Sequence, residues 1–240
     1  MTYFFKRKTN NIIISGPFLG MKYVDESVGS RFLPKLLGTY ELEIAPIIKK
    51  TFEKSFEVII DVGAAEGYYA VGMAMKNLKA RIIAFEANKN GRDSIEKMAG
   101  INGVSDRIKV YGLCDMKSLT ESIPNNKKCL IIMDIEGAES ILLDNFIIPK
   151  LNTCHIIVEI HECVFRGVGD IIYNRFKNTH KIIEIKERKR LLGDFPINIP
   201  FIYRSLLKKY FIFNSMDEAR FDSLLGVPDK NAGWFYLEPK

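Results

Sequence analysis

Residues 57–67 read Glu57-Val58-Ile59-Ile60-Asp61-Val62-Gly63-Ala64-Ala65-Glu66-Gly67, an apolar run that breaks into a glycine turn. Val58 to Ile60 are β-branched and apolar, the pattern of a strand covered on both faces. A glycine at the strand exit, here Gly63, permits a sharp turn and the close approach of a ligand. Tyr68 to Met75 follow with the spacing of a helix packed on a sheet. Its first turn would aim free N–H groups and a positive dipole end at whatever fills the turn. Strand, glycine turn and helix in this order predict an α/β, doubly wound, mostly parallel sheet.

A dinucleotide-binding turn wants G-x-G-x-x-G. Here Ala65 replaces the middle glycine, and Asp61 lies two residues before Gly63. A carboxylate would repel a pyrophosphate; it suits a ligand with a cationic end or with hydroxyls to be held. An NAD-dependent oxidoreductase on a similar sheet is the rival reading, and this acid argues against it. The hydrophobic-Asp-x-Gly-x-x-x-Gly arrangement resembles motif I of the class I S-adenosylmethionine-dependent methyltransferases. The resemblance implies their seven-stranded Rossmann-like fold, S-adenosylmethionine as cofactor, and Asp61, Gly63, Ala65 and Gly67 around it. The family often carries Asn or Gly where this chain has Ala64-Ala65-Glu66. Two roles stay open for Glu66: reaching the cofactor's ammonium end, or capping the helix.

The next apolar run, Ala80 to Glu86, reads as the second strand and ends in an acid. In doubly wound nucleotide folds an acid at that position accepts hydrogen bonds from ribose hydroxyls, which makes Glu86 the ribose-binding candidate. A helix is expected from Gly91 to about Met98, then a third strand at Ile108–Tyr111. Family resemblance places the following loop, with Leu113 and Asp115, against the adenine ring.

Cys129 to Asp134 form a fourth strand, followed by Ile135-Glu136-Gly137-Ala138-Glu139. Asp134 should face the crevice at the carboxyl end of the sheet, where ligands of such folds bind. Glu139 is either part of that site or an acid stabilised by the dipole of the next helix. Asp-x-Glu-Gly-Ala-Glu after a hydrophobic strand resembles the FkbM-type methyltransferases. The fifth strand, Cys154 to Ile160, places Glu159 and His161 on one side by alternation. A histidine beside a carboxylate is a plausible general base near neutral pH. Catalytic candidates are therefore His161, Asp134 and Glu159; Asp134 is also a cofactor candidate, and Glu136 an acceptor candidate. His155 and His180 read as structural. The same acids and His161 are hard ligands that could hold Mg²⁺ or Mn²⁺, although their spacing demands no metal.

Residues 1–50 read as an N-terminal cap and 51–240 as the catalytic domain. Asn11 to Ile14 suggest a short strand ended at Gly16-Pro17, and a helical pattern runs from Leu42 to Phe52, with Thr39 able to cap it. Tyr40 and Glu41 are candidates to touch cofactor or acceptor. The stretches Gly16 to Tyr23 and Gly38 to Glu41 look like members that accompany surface-glycan gene sets, which implies a sugar hydroxyl, or a related small molecule, as acceptor. Beyond the fifth strand, Asp170 to Phe176 read as helix and Lys181 to Ile185 as strand. Pro196 and Pro200 mark an irregular insertion, Asp217 to Leu225 has helical spacing, and Trp234 to Leu237 is a late strand. By resemblance that strand is antiparallel and inserted near the sheet edge.

With 240 residues, 47% of them hydrophobic, the chain can bury one large α/β core. It has no apolar run of ~18 residues, so no integral membrane segment is expected. The start, Met1 to Lys8, does not pattern as a signal peptide, and the expected location is cytoplasmic. Cys114, Cys129, Cys154 and Cys163 form no C-x-x-C pair, which leaves zinc and disulfide frameworks unsupported; Cys129 and Cys154 read as core residues. The net charge of +6 gathers in short clusters such as Lys6-Arg7-Lys8, open to an anionic acceptor or a membrane surface. No basic groove interleaved with aromatics argues for nucleic acid. A non-catalytic cofactor- or glycan-binding scaffold stays open, as does the oligomeric state.

Overall fold

The computed structural model describes residues 2–125, 127–188, 192–196, 221–222, 227–228 and 233–240. Its frame is a seven-stranded sheet of β1 (Val58–Val62), β2 (Arg81–Phe85), β3 (Ile108–Tyr111), β4 (Cys129–Met133), β5 (Cys154–Ile160), β6 (His180–Lys186) and β7 (Gly233–Pro239). The strand order is β3-β2-β1-β4-β5-β7-β6. β1 to β5 are parallel, and β7 inserts antiparallel between β5 and β6, as expected of the late strand. The order reverses between β2-β1 and β4-β5, which opens a crevice at the carboxyl ends of β1 and β4.

Alternation along the strands divides the core into two layers. Ile59, Ile82, Leu130, Ile132 and Ile157 face one side, with α4 (Tyr68–Lys76), α5 (Lys89–Ile101) and the residues before β1. Ile60, Ile83, Ile131, Ile156 and Val158 face the other, against α6 (Met116–Ser122), α7 (Glu139–Leu142), α8 (Ile148–Leu151) and α9 (Val168–Phe176). β1 and β4 are buried throughout, so their sequences are apolar without alternation.

The segment before β1 holds α1 (Thr2–Thr9), α2 (Phe32–Leu37) and α3 (Ala45–Phe52). It packs on α4 through Phe18, whose ring stands edge-on to Tyr68 at 5.0 Å and to Tyr69 at 5.9 Å. Gly72 makes this seat possible: a Cβ there would lie 2.5 Å from the Phe18 ring.

Three expectations change here. Asn11 to Ile14 contribute only an isolated bridge, Ile12 to Lys22. α3 starts at Ala45 with Ile44 at its N-cap, because Thr39 lies just past the end of α2, its hydroxyl facing Pro34 O at 3.5 Å. Phe221–Asp222, inside the stretch with helical spacing, pairs as a strand with Val227–Pro228; the rest of residues 217–225, and Pro200, lie outside the described residues. Among the described residues no helix is long and apolar enough to cross a membrane.

Candidate functional site

A cleft of about 1240 Å³ opens over the carboxyl ends of β1, β2 and β4. Its lining includes Asp61, Gly63, Ala65, Glu86, Asp115 and Asp134, so most of the cofactor candidates converge. Gly67 stands just behind, as the left-handed N-cap of α4. Leu113, Met116, Ile135, Ile141 and Leu142 form an apolar wall, and Tyr40, Tyr68 and Tyr69 line it with residues 28–31 of the cap.

The turn is built by close packing of backbone. Gly63 has φ +85°, and a Cβ there would lie 1.7 Å from the Asp134 carbonyl oxygen. The glycine is thus demanded by the neighbouring chain, a different reason from the ligand approach expected of it. Ala65 follows with a left-handed φ of +48°, which aims its N–H at Glu86 Oε2, 2.7 Å away. Asn88 N–H holds Glu86 Oε1 at the same distance. The Glu86 carboxylate is pinned by both donors, and each oxygen keeps a second lone pair for a hydroxyl.

Asp61 is buried, and its Oδ2 has no hydrogen-bond partner among the described residues. Burial raises its carboxyl to about 7; the Ala70 N–H pulls the other way, and the Asp134 and Glu86 carboxylates push further up. A cationic ligand group would relieve this cost. Asp115 acts locally, since its carboxylate accepts the Ser118 N–H at 2.7 Å and completes a capping box on α6. Hydrogen bonding from the Ser118 side chain and backbone holds its pKa below the usual range.

Glu66 takes neither of the roles left open for it. Its side chain is fully buried, and it accepts from Lys35 Nζ at 2.5 Å, Val28 N–H at 2.9 Å, Ser27 Oγ at 3.0 Å and the Tyr23 hydroxyl. It therefore ties the cap to the turn. Sequence reasoning missed Lys35 and this hub, since the partners stand 31 to 43 positions earlier in the chain.

Next to the cleft lies a knot of acids around His161. The imidazole is fully buried, with Nδ1 at 2.5 Å from Glu139 Oε1. Nε2 faces Glu136 Oε2 at 3.3 Å, Asp134 Oδ1 at 3.4 Å and Glu159 Oε2 at 3.6 Å. Glu136 reaches in from a left-handed residue, φ +55°, at the β4 exit. Glu139 is the first residue of α7; it accepts the Gly137 N–H and faces His161. Glu41, also left-handed, is buried and accepts the Tyr69 hydroxyl. The structure thus brings Glu41, Asp134, Glu136, Glu159 and His161 together from the cap, β4 and β5. Tyr40 sits on the cleft wall with Lys35 Nζ 4.7 Å from its ring.

Asp134, Glu136 and His161 place one ligand atom each within 4.8 Å of one another, as do Glu41, Asp134 and Glu159. Nitrogen and carboxylate donors of this kind could hold a divalent cation. The other two histidines are structural: His155 Nδ1 meets the Tyr236 hydroxyl at 2.8 Å, and His180 Nε2 meets Cys154 O at 3.0 Å. Burial lowers both, His155 to about 4.

No protein-family model matches the chain, and no curated protein matches it. Among solved structures it is similar to the O-methyltransferase TomG from Streptomyces achromogenes in complex with SAM, at 11% identity over 56% of this chain and 69% of that one, TM-score 0.44. It is also similar to the SAH-bound methyltransferase PaMTH1 of Podospora anserina, at 15% identity over 60% and 73%, TM-score 0.47. A third is the O-methyltransferase from Bacillus cereus with SAH, at 15% identity over 56% and 70%, TM-score 0.42. The strand order itself shows a seven-stranded mixed sheet of α/β, Rossmann-like architecture.

Proposed function

We propose that the protein is an S-adenosylmethionine-dependent O-methyltransferase of FkbM type, moving a methyl group to a hydroxyl of a sugar or related small molecule. The observation that carries the reading is the adjacency of two sites through Asp134. One is a cleft fitted to a nucleoside with a cationic end; the other is a caged histidine fitted to take a proton. Glu86 is placed for ribose hydroxyls, the apolar wall for a base, and Asp61 for positive charge. When bound, S-adenosylmethionine supplies a methyl group already activated for in-line displacement.

The chain then has to orient the acceptor and remove its proton. Glu139 Oε1 stands against Nδ1, and with the ring proton on that nitrogen the Nε2 lone pair is the one that accepts the hydroxyl proton. Glu139, against Nδ1, would take the role a carboxylate plays toward histidine in hydrolytic triads, and Asp134, Glu136 and Glu159 would stabilise the imidazolium from the Nε2 side. Tyr40 and Glu41 bring the cap to the acceptor side. This chemistry involves neither nucleic acid nor a membrane segment, and the proposed setting is the cytoplasm, with residues 1–50 as cap and 51–240 as catalytic domain.

The test is turnover by the purified protein with S-adenosylmethionine and a panel of sugar acceptors, read as S-adenosylhomocysteine released. Release with an acceptor, lost in His161→Gln, supports the reading; cofactor binding without turnover on any acceptor favours the scaffold. The donors around Asp134 favour one variant, a divalent ion assisting the acceptor hydroxyl. Loss of turnover on chelation, restored by Mn²⁺, would assign it.

A further inference from the structure

The turn that follows β5 shows apolar side chains to solvent at the mouth of the His161 cage. Val164 is 59% exposed there and Phe165 46%. The turn is firmly built. The N–H groups of Val164 and Phe165 both donate to the His161 carbonyl at 3.0 Å. The Glu162 carboxylate accepts the Gly167 N–H at 2.7 Å and the Gly169 N–H at 2.9 Å, which ties the far end of the turn to α9. Apolar surface left in water contributes little to the fold, and surface already held rigid can bind a ligand without being ordered first.

Packing joins this surface to the reaction site. Val164 fills the space over Gly137, where a Cβ would lie 2.5 Å from Val164 Cγ1. Gly137 follows Glu136, which lines the cleft and faces His161 Nε2 at 3.3 Å. The rim beside Nε2 therefore has two halves. The β4 exit supplies a carboxylate, which accepts from hydroxyls. The β5 exit supplies a valine and a phenyl ring, which gain by covering hydrocarbon. A small free sugar offers hydroxyls to the first half and little hydrocarbon to the second.

We propose that Val164 and Phe165 form a subsite for an apolar aglycone, so that the acceptor is a hydroxylated ring carrying a hydrocarbon substituent. The assignment rests on the O-methyltransferase reading and extends the acceptor side of that site. Phe165 is then a specificity residue: it holds the aglycone while a ring hydroxyl is presented to His161.

The experiment is titration of the protein loaded with S-adenosylhomocysteine, using paired methyl and octyl glycosides of glucose, galactose, mannose and N-acetylglucosamine, the octyl compounds kept below micelle formation. Phe165→Ala and Leu78→Ala are run beside the parent. Leu78, 75% exposed between α4 and β2, lies at the opposite edge of the sheet and controls for general loss of apolar surface. The parent should bind the octyl member of at least one pair about tenfold more tightly than its methyl partner. Phe165→Ala should weaken that octyl glycoside about tenfold and leave the methyl glycoside and S-adenosylhomocysteine within about twofold. Leu78→Ala should change none of them. Equal binding within every pair, an octyl advantage that survives Phe165→Ala, or no glycoside bound by a protein that binds S-adenosylhomocysteine overturns the aglycone subsite while the cofactor reading stands. Failure to bind S-adenosylhomocysteine overturns the cofactor reading, and this assignment with it.

Discussion

Lys35 Nζ lies 2.5 Å from Glu66 Oε1 with both side chains out of solvent, and this pair joins the cap to the turn below the cleft. Burial pushes the Glu66 carboxyl up, but the Lys35 charge and the hydrogen bonds from Lys35, Tyr23 and Val28 outweigh it and hold the group below its usual range. Removing one partner of a buried pair leaves the other uncompensated and costs about 3–5 kcal/mol. Glu66→Ala should lower unfolding stability by that order in urea titrations. The double variant Glu66→Gln, Lys35→Met should recover part of the loss, because it strands no charge. A pair worth nothing in the cycle would show that the cap is held by its aromatic contacts alone.

Asp61 makes the apo protein sensitive to pH. Its folded-state pKa, about 7, lies above its unfolded value, so its contribution is complete below about pH 4 and is lost as pH rises through 7. Asp61→Asn should therefore melt higher than the parent at about pH 8, with the advantage fading toward pH 4. It should also bind S-adenosylhomocysteine at least tenfold more weakly. In the parent, affinity should fall as pH drops below about 7, because a cationic ligand group favours the ionised carboxylate. Thermal melts and titrations at matched pH check both signs.

β1, β2 and β4 were legible as short apolar runs, β3 by the alternation of Ile108 and Val110 about Lys109, and β5 by its Ile156-Ile157-Val158 centre, and the acids at or near the strand ends, Asp61, Glu86, Asp134 and Glu159, could be placed by counting along them. Alternation alone put Glu159 and His161 on one face. What could not be read depends on distance through space. In the sequence Glu66 is open to the cofactor's ammonium end or to a helix cap, because its partners, Tyr23, Ser27, Val28 and Lys35, stand far earlier in the chain. Gly63 looked like a ligand-approach glycine because the Asp134 carbonyl that excludes a Cβ is far along the chain. Thr39 looked like a helix cap because the end of α2 at Gly38 leaves no apolar period to mark it.

Gly63→Ala combines a left-handed φ of +85° with a Cβ placed 1.7 Å from the Asp134 carbonyl. Strain and overpacking together should destabilise by roughly 2–4 kcal/mol and displace the β4 exit. Gly72→Ala meets only the Phe18 ring, at 2.5 Å, and should cost about 1–3 kcal/mol by unseating the cap. Denaturant midpoints rank the two; a larger loss at Gly72 would contradict the packing described.

Catalysis and cofactor binding should separate at His161. His161→Gln should lower kcat by about 10²–10⁴-fold, the range for a lost general base. Its S-adenosylhomocysteine affinity should change by less than about threefold. Glu139→Gln should also lower kcat, because it disturbs the Nδ1 contact at 2.5 Å that orients the ring. Circular dichroism controls for folding, since both side chains are buried. A large loss of cofactor affinity in either variant would move His161 out of the acceptor site and into the cofactor cleft.

The most direct measurement is calorimetric titration of the parent and Glu86→Ala with S-adenosylhomocysteine and, in parallel, with NAD. Micromolar binding of S-adenosylhomocysteine, weakened at least tenfold in Glu86→Ala, with no binding of NAD, is the predicted result. Tight binding of NAD with none of S-adenosylhomocysteine would contradict it.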